Sequence, residues 1–243
     1  MARKSYLAFD LGAESGRAVL AHVEAGLVQT GEIHRFANTP LAEAGTLRWD
    51  VHSLWREMRH ALSLAGGTEL SSIAVDAWGV DYALLGGNGQ LLENPYHYRD
   101  ARNAPAMADA LGMVSKDEIY SATGVQFMPI NTIYQLFAAT RQTPALVDQA
   151  VRFVMMPDLF NYWLTGEVAC EYTDASTTQL INPRTRTWAA GLMERLNLPR
   201  RLAAPIVEPG SIIGPLRADV AAGAALAGTP VVASAVNWLS SAF

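Results

Sequence analysis

The chain has 243 residues, of which half are hydrophobic and 17% are charged, and its formal net charge is -5. This composition is typical of an ordered globular protein and excludes a disordered chain, which would be more polar and more charged. The negative charge, without a basic stripe, argues against nucleic acid as the main partner. The length allows one large domain or two small ones, with a sizeable core.

The single cysteine, Cys170, allows no internal disulfide and gives no sign of an oxidising compartment. Residues 1–5 run directly into an apolar pattern and lack the apolar run and cleavage site of a secretory signal. These two features predict a cytoplasmic protein.

An uncharged segment covers residues 220–243. Its length alone would allow a membrane-spanning helix, but it is mainly alanine and glycine, carries Asn237 and is broken at residues 228–230. The pattern favours a small-residue helix, a turn and a buried strand at Pro230–Ala233, and no membrane span. If left uncovered, the segment would form an apolar patch that favours self-association.

Short β-prone runs open the chain. Residues 6–9 end at Asp10, and runs at residues 17–23 and 27–36 follow after turns that contain glycine. Such runs predict a meander of antiparallel strands.

A helix is predicted next, with Ser53 as its N-cap and glycine at residues 66–67 as its end. Five apolar side chains fall on one face at helical spacing: Leu54, Met58, Ala61, Leu62 and Ala65. Further strands are predicted at residues 73–76, 80–85 and 211–213. Strands followed by a helix and more strands indicate an α/β domain with a mixed sheet.

The middle of the chain, residues 96–182, has a less regular pattern. Only residues 133–140 and 157–164 predict helices there. The sequence shows no internal repeat or flexible linker.

The most informative segment is the phosphate loop, residues 10–17, which reads D-L-G-A-E-S-G-R. Gly12 and Gly16 are expected to take positive φ and to let the backbone approach a ligand. Successive N–H groups in such a turn form a concavity for anions, and Ser15 adds a hydroxyl donor. Asp10 ends the strand where a Mg²⁺ ion on phosphates would need an oxygen ligand. The alternative is a plain hairpin with a surface aspartate.

Several ordered motifs carry a family resemblance. The phosphate loop is similar to that of the actin, hexokinase and sugar-kinase ATPases, and residues 76–81 read D-A-W-G-V-D. The chain resembles the FGGY carbohydrate kinases, and within them the rhamnulokinases. The remaining blocks that match in order are residues 98–102 (Y-R-D-A-R), 127–136, 156–158, 164–166 and 171–180.

The resemblance implies a ribonuclease H-like, actin-like domain with a five-stranded mixed sheet in the order 3-2-1-4-5. An irregular insertion at about residues 90–180 would cover the sugar side. Residues 1–243 would form the N-terminal domain, and the nucleotide-binding C-terminal domain of the family would lie outside this sequence.

The implied reaction moves the γ-phosphoryl of ATP to a ketose, with L-rhamnulose giving L-rhamnulose 1-phosphate. Mg²⁺ would be served by Asp10. The residues expected to hold the nucleotide phosphates are Ala13, Glu14, Ser15, Gly16 and Arg17. The residues expected to face the sugar are Gly79, with Trp78 and Asp81 nearby, and Asn237, Trp238 and Leu239.

The family's general base is the aspartate of an H-D-T block that follows a G-T-P-V-V strand. In this chain residues 228–232 read G-T-P-V-V, and the following block aligns as Asn237-Trp238-Leu239. Trp238 therefore takes the position of the base, and an indole cannot accept the proton. We expect no catalytic residue and an inactive half of a kinase. The alternative is a non-catalytic sugar- or nucleotide-binding module.

Bland alternatives stay open for single residues. Trp78 would also suit a core position, and Asn131 and Asp158 would suit turns or helix caps. Residues 173–178 could simply pair as strands. His97 has no metal-spaced partner and receives no role, and no zinc motif occurs.

Overall fold

The computed structural model describes residues 3–236 of the chain. Its strands are β1 (Lys4–Leu11), β2 (Ser15–Glu24), β3 (Leu27–Ala37), β4 (Leu41–Glu43), β5 (Thr46–Arg48), β6 (Ser72–Ala77), β7 (Tyr82–Gly86), β8 (Ala150–Met155), β9 (Cys170–Glu171), β10 (Ile181–Asn182), β11 (Thr187–Trp188), β12 (Ile206–Val207), β13 (Ile212–Pro215) and β14 (Pro230–Ala233). Its helices are α1 (Val51–Ala65), α2 (Asn103–Met113), α3 (Lys116–Thr123), α4 (Thr132–Gln142), α5 (Pro144–Gln149), α6 (Met156–Thr165), α7 (Tyr172–Thr177) and α8 (Ala190–Arg195), with a 3₁₀ turn at Arg200–Leu202.

The main sheet is mixed and has the order β13-β14-β6-β1-β2-β3. β1, β2 and β3 form the predicted antiparallel meander, while β6 and β14 join it in parallel with β1. The α/β class is confirmed, but the five-stranded order 3-2-1-4-5 was wrong because the sheet has six strands. The extra strand, β13, pairs antiparallel with β14 at the edge.

The parallel strands bring their carboxyl ends to one edge of the sheet. Asp10, near the end of β1, lies opposite Asp76 of β6, and Ala233 of β14 lies opposite Val75. The segments that follow these strands therefore leave the sheet side by side. In open α/β sheets, this edge is the usual place for a ligand.

Helix α1 buries the predicted apolar face, and Gly66 follows its last residue. Its N-cap is not Ser53, as predicted, but Asp50, whose carboxylate accepts a hydrogen bond from the Ser53 N–H at 2.8 Å. A carboxylate is as good an N-cap as a serine hydroxyl and is also favoured by the helix dipole, so the helix begins earlier.

The strand predicted at residues 80–85 forms as β7, but in a separate two-stranded sheet with β8. Val80 turns the chain between β6 and β7 with a φ of 69°. This conformation is unfavourable for a β-branched residue. Three partners fix it: Val80 N–H donates to Thr177 Oγ1, and its carbonyl accepts from Thr132 Oγ1 and Gln135 Nε2.

The middle of the chain is more regular than predicted. The helices at residues 133–140 and 157–164 are confirmed within α4 and α6, and further helices, α2, α3, α5 and α7, lie around them. Residues 173–178 do not pair as strands, because the buried carboxylate of Glu171 caps α7 through the N–H groups of Thr173 and Asp174.

The small-residue helix predicted within residues 220–243 does not form in the part that the structure describes, where turns and bends lead to β14. β14 itself is confirmed. The larger apolar side chains there, Val220, Leu226 and Val231, are buried. Self-association through this segment stays a prediction. Within residues 3–236, none of the helices combines the length and apolar character needed to cross a membrane.

Candidate functional site

The phosphate loop is the turn of the β1–β2 hairpin. The Gly12 N–H donates to the Ser15 carbonyl at 2.8 Å. Asn38, just after β3, pins the turn from outside, because its backbone N–H donates to the Glu14 carbonyl and its Nδ2 to the Gly12 carbonyl, both at 2.9 Å. These three hydrogen bonds fix the conformation of the loop without any ligand.

The two loop glycines are needed for space rather than for positive φ, which neither adopts, so that prediction was wrong. A Cβ atom on Gly16 would collide with the Phe36 ring and press on Leu11. A Cβ atom on Gly12 would lie 3.2 Å from the Ser15 carbonyl oxygen, which is tight against a backbone atom. The loop therefore closes only with glycine at these positions.

Asp10 and Arg17 form an ion pair across the hairpin. Arg17 Nε and one terminal nitrogen reach Asp10 Oδ2 at 2.8 and 2.7 Å, and both side chains are partly exposed. The carboxylate thus lies partly exposed at the carboxyl ends of the parallel strands. Within residues 3–236, no group of three or more His, Cys, Asp or Glu side chains is arranged to hold a metal ion.

A cleft of about 510 Å³ opens beside the phosphate loop. One wall is the phosphate loop, through Ala13, Glu14 and Ser15. Residues 97–99 form the wall that faces it, which we call the opposite wall. Three residues that the sequence analysis did not single out, Asn38, Thr39 and Pro40, form the end of the cleft. The cleft joins the backbone of the phosphate loop to a wall that carries polar and aromatic side chains.

The opposite wall rests on a stack of rings. The indole of Trp49 lies between Trp78 and His97, with both centroid distances at 4.1 Å. His97 Nδ1 accepts the Arg99 N–H at 2.9 Å, so a neutral ring carries its proton on Nε2. Burial, and then the nearby Arg99, lower the pKa of His97 to about 4, which keeps it neutral. His97 thus has a role in the wall that its sequence context did not reveal.

Trp78 and Asp81 do not line the cleft, and both are fully buried. Asp81 Oδ2 accepts hydrogen bonds from Trp49 Nε1 at 2.5 Å, Trp78 Nε1 at 3.0 Å and the Tyr98 N–H at 3.1 Å. Asp81 Oδ1 accepts from Gln135 Nε2 at 2.7 Å. We call these five residues the Asp81 network.

Gly79 lies between the two members of the network that were expected to face a sugar. A Cβ atom there would lie 3.0 Å from the Thr177 side chain and 3.3 Å from Asp174 Oδ1. Any side chain would therefore press on α7. Asn237, Trp238 and Leu239 lie outside the described residues.

A group of buried acids lies behind this turn, and it includes Asp158, Glu171 and Asp174. Burial raises the pKa of Asp158 to about 7, and it raises the pKa of Asp174 well above its usual value with the help of the other two carboxyl groups. Asp158 accepts the Glu171 N–H and so holds β9 to α6. It also bonds to the backbone of Met155, the N-cap of α6, as expected of a cap residue.

Comparison with known proteins now decides the family. Residues 5–243 match the N-terminal domain of the FGGY family of carbohydrate kinases. The chain belongs to the FGGY family. The FGGY member "Rhamnulokinase" of Pectobacterium atrosepticum is 44% identical over 218 residues, covering 88% of this chain and 44% of that protein. The "Rhamnulokinase" of Pectobacterium carotovorum is 42% identical over the same length.

The fold of this chain is also found among solved structures. The gluconate kinase of Lactobacillus acidophilus superposes with a TM-score of 0.85 at 19% identity, over 97% of this chain and 48% of that one. At this identity the likeness shows the fold alone. The chain spans less than half the length of the curated relatives it matches.

Proposed function

We propose that this chain supplies the sugar- and phosphate-binding part of an ATP-dependent ketose kinase. The substrate is L-rhamnulose, and the product of the family reaction is L-rhamnulose 1-phosphate. The observation that carries the proposal is the cleft, in which the phosphate loop faces the opposite wall at the carboxyl edge of the parallel strands. The identity with proteins named rhamnulokinase supports the choice of sugar.

The phosphate loop binds the nucleotide phosphates through its backbone. N–H groups of Ala13, Glu14 and Ser15 and the Ser15 hydroxyl are the donors, since the turn is already closed by Asn38. Gly16 and Arg17 lie in β2 between β1 and β3, so Arg17 contributes its side chain and not its backbone. Mg²⁺ arrives with the nucleotide, and a carboxylate is the type of ligand it prefers. Both contacts from Arg17 use Oδ2 of Asp10, so we assign Oδ1 to the ion, directly or through water.

The sugar lies on the other side of the cleft, against residues 97–99. The turn at Gly79 is buried and does not line the cleft. Polar groups on a cleft wall fix the orientation of a bound sugar. His97 offers an Nε2 donor to this space, and Arg99 adds a cation. Trp78 and Asp81 support the turn from behind.

The site lacks the proton acceptor that the family reaction needs. The resemblance assigns the position of the general base to Trp238, which cannot take a proton. We therefore propose that the chain binds both ligands but does not turn them over. The same feature favours the second candidate, a non-catalytic sugar- or nucleotide-binding module, in which the cleft serves binding alone.

Titration calorimetry tests the proposal on the 243-residue chain. L-rhamnulose should bind, its aldose isomer L-rhamnose should bind at least about tenfold more weakly, and MgATP should bind weakly through its phosphates. No binding of either sugar would contradict the ketose assignment. A coupled assay separates the two candidates further, because turnover on the order of 1 to 100 per second, the usual range of kinases, would show that a base is present.

A further inference from the structure

The Asp81 network joins four parts of the chain that are distant in sequence. Its donors come from the segment just before α1, from the turn after β6, from the opposite wall and from α4. Asp81 itself is fully buried and does not reach the cleft. We propose that Asp81 is a positioning residue, whose carboxylate ties the Trp78–Gly79 turn to the Tyr98 backbone and so sets the width of the cleft.

The chemistry of the donors explains why a carboxylate is needed. Two indole N–H groups and one backbone N–H converge on a single oxygen, Oδ2, inside the core. A buried N–H without an acceptor is unfavourable, and a charged acceptor makes the strongest bonds with several donors. An apolar side chain would leave these three donors without a partner, and an amide would keep one acceptor oxygen but turn an NH₂ group, in the place of Oδ1, towards the Gln135 Nε2 donor.

The geometry at Val80 adds an independent argument. This residue holds a left-handed backbone conformation between Gly79 and Asp81, and it is fixed by Thr132, Gln135 and Thr177. Gln135 contacts both the Val80 carbonyl and Asp81 Oδ1. Strain of this kind persists only when the surroundings determine it and is found at binding sites. The turn and the carboxylate are therefore parts of one device.

Protonation of Asp81 offers a way to test this arrangement by experiment. Burial raises the pKa of Asp81 to about 7, against the opposing effect of its N–H donors. A protonated oxygen becomes a donor, so at least one of the four N–H groups then loses its acceptor. Of the rings packed around it, His97 has a pKa lowered to about 4, and the phenol of Tyr98 has a raised pKa. The charges of Glu14, Arg99 and Asp100 act on those two rings.

Nuclear magnetic resonance on the unmodified chain tests the coupling without any ligand. Between about pH 5.5 and about pH 8.5, the indole N–H signals of Trp49 and Trp78 and the amide signal of Tyr98 should shift together with one midpoint. The indole of Trp188, which donates to the Ala204 carbonyl, is the internal control and should not follow. Indole signals that move without the Tyr98 amide, or none that moves, would overturn the proposal.

A matched pair of variants tests the effect on the cleft, and this part rests on the proposed function. Asp81→Asn should weaken L-rhamnulose binding by at least about tenfold, while inorganic tripolyphosphate, which needs only the phosphate loop, should bind within about threefold of the unmodified chain. The control is Asp158→Asn, since Asp158 is equally buried and its pKa is also raised to about 7, but it bonds to β9. It should leave both affinities unchanged.

The outcomes separate the two hypotheses. If Asp81→Asn weakens both probes equally, or neither, Asp81 does not position the cleft. If the unmodified chain fails to bind L-rhamnulose, the proposed function falls, and the resonance experiment still decides the role of Asp81.

Discussion

The two walls of the cleft are built in opposite ways. The phosphate loop is held by backbone hydrogen bonds and by an ion pair of partly exposed side chains, Asp10 and Arg17. The opposite wall is held from behind by a fully buried carboxylate and a stack of aromatic rings. One residue type, aspartate, is thus partly exposed in an ion pair on one side and buried as a hydrogen-bond acceptor on the other.

Because the two walls are held in different ways, substitutions in them should affect ligand binding and folding stability differently. Exposed ion pairs contribute little to folding, and loop backbone amides can serve a ligand without disturbing the core. A buried network contributes to both, because any change in it moves the wall and unpairs donors at the same time. Substitutions of the partly exposed Asp10 and Arg17 should therefore alter binding alone, whereas substitutions in the Asp81 network should alter binding and folding together.

The strongest test of this comparison is Trp49→Ala. Trp49 is fully buried between two rings and donates to Asp81. Its removal should lower the free energy of unfolding by about 3 to 5 kcal/mol, the usual effect of deleting a buried tryptophan. Urea denaturation measures the loss. Arg17→Ala, on the other wall, is the control and should change stability by less than about 1 kcal/mol. Similar losses for the two variants would refute the contrast.

The pH dependence of stability should separate buried from exposed carboxyl groups. Asp81 and Asp158 have an ordinary pKa of 3.8 and a folded-state pKa of about 7. The folded state therefore binds more protons between these values, and the free energy of unfolding should fall as pH rises from about 4 to about 7. The fall should be at most about 4 kcal/mol per group.

Urea denaturation across this pH range measures the slope. Asp158→Asn should flatten it, because the amide does not titrate. If Asp158→Asn leaves the slope unchanged, the Asp158 carboxyl group does not contribute to the pH dependence of stability, and the prediction is wrong.

The sequence predicted those parts of the fold that depend on local pattern. The meander, α1 with its apolar face and β14 follow from the spacing of residues such as Leu54 and Met58 and from glycine-bearing turns. The departure of β7 from the main sheet depends on Val80, whose conformation is fixed by residues 52 to 97 positions away. No local pattern contains that information, and the same holds for the pairing of β13.

The site divides in the same way. The phosphate loop is one contiguous segment, so its residues could be named from the sequence, although its glycines serve packing against Phe36 and Ser15 instead of positive φ. Asp81 was expected to face a sugar because it belongs to the D-A-W-G-V-D segment that carries the family resemblance. Its burial depends on Trp49 and Gln135, which lie 32 and 54 residues away. His97 was missed for a similar reason, since its role depends on stacking against Trp49.

A substitution of intermediate effect tests the loop wall. Gly12→Val should weaken binding of inorganic tripolyphosphate by at least about tenfold, because its Cβ atom would press on the Ser15 carbonyl and change the N–H concavity. The matched control is Gly31→Val in β3, where a Cβ atom meets nothing within 4 Å. Calorimetry measures both. Equal affinities for the two variants would reduce the loop to a plain hairpin.

The smallest expected effect on folding belongs to Asp10, and it gives the sharpest view of the loop as a binding wall. Asp10→Ala should change the free energy of unfolding by less than about 1 kcal/mol, because its partner Arg17 is exposed. Its effect should instead be on metal dependence: tripolyphosphate should bind the unmodified chain more tightly with Mg²⁺ than without, and the variant equally in both conditions.

Arg17→Ala separates the role of the metal from that of the ion pair, since it removes a cation beside the phosphates but keeps the carboxylate. That variant should bind more weakly and still respond to Mg²⁺. If Asp10→Ala responds to Mg²⁺ as the unmodified chain does, Asp10 serves only to hold Arg17, and the ion is held by the phosphates alone.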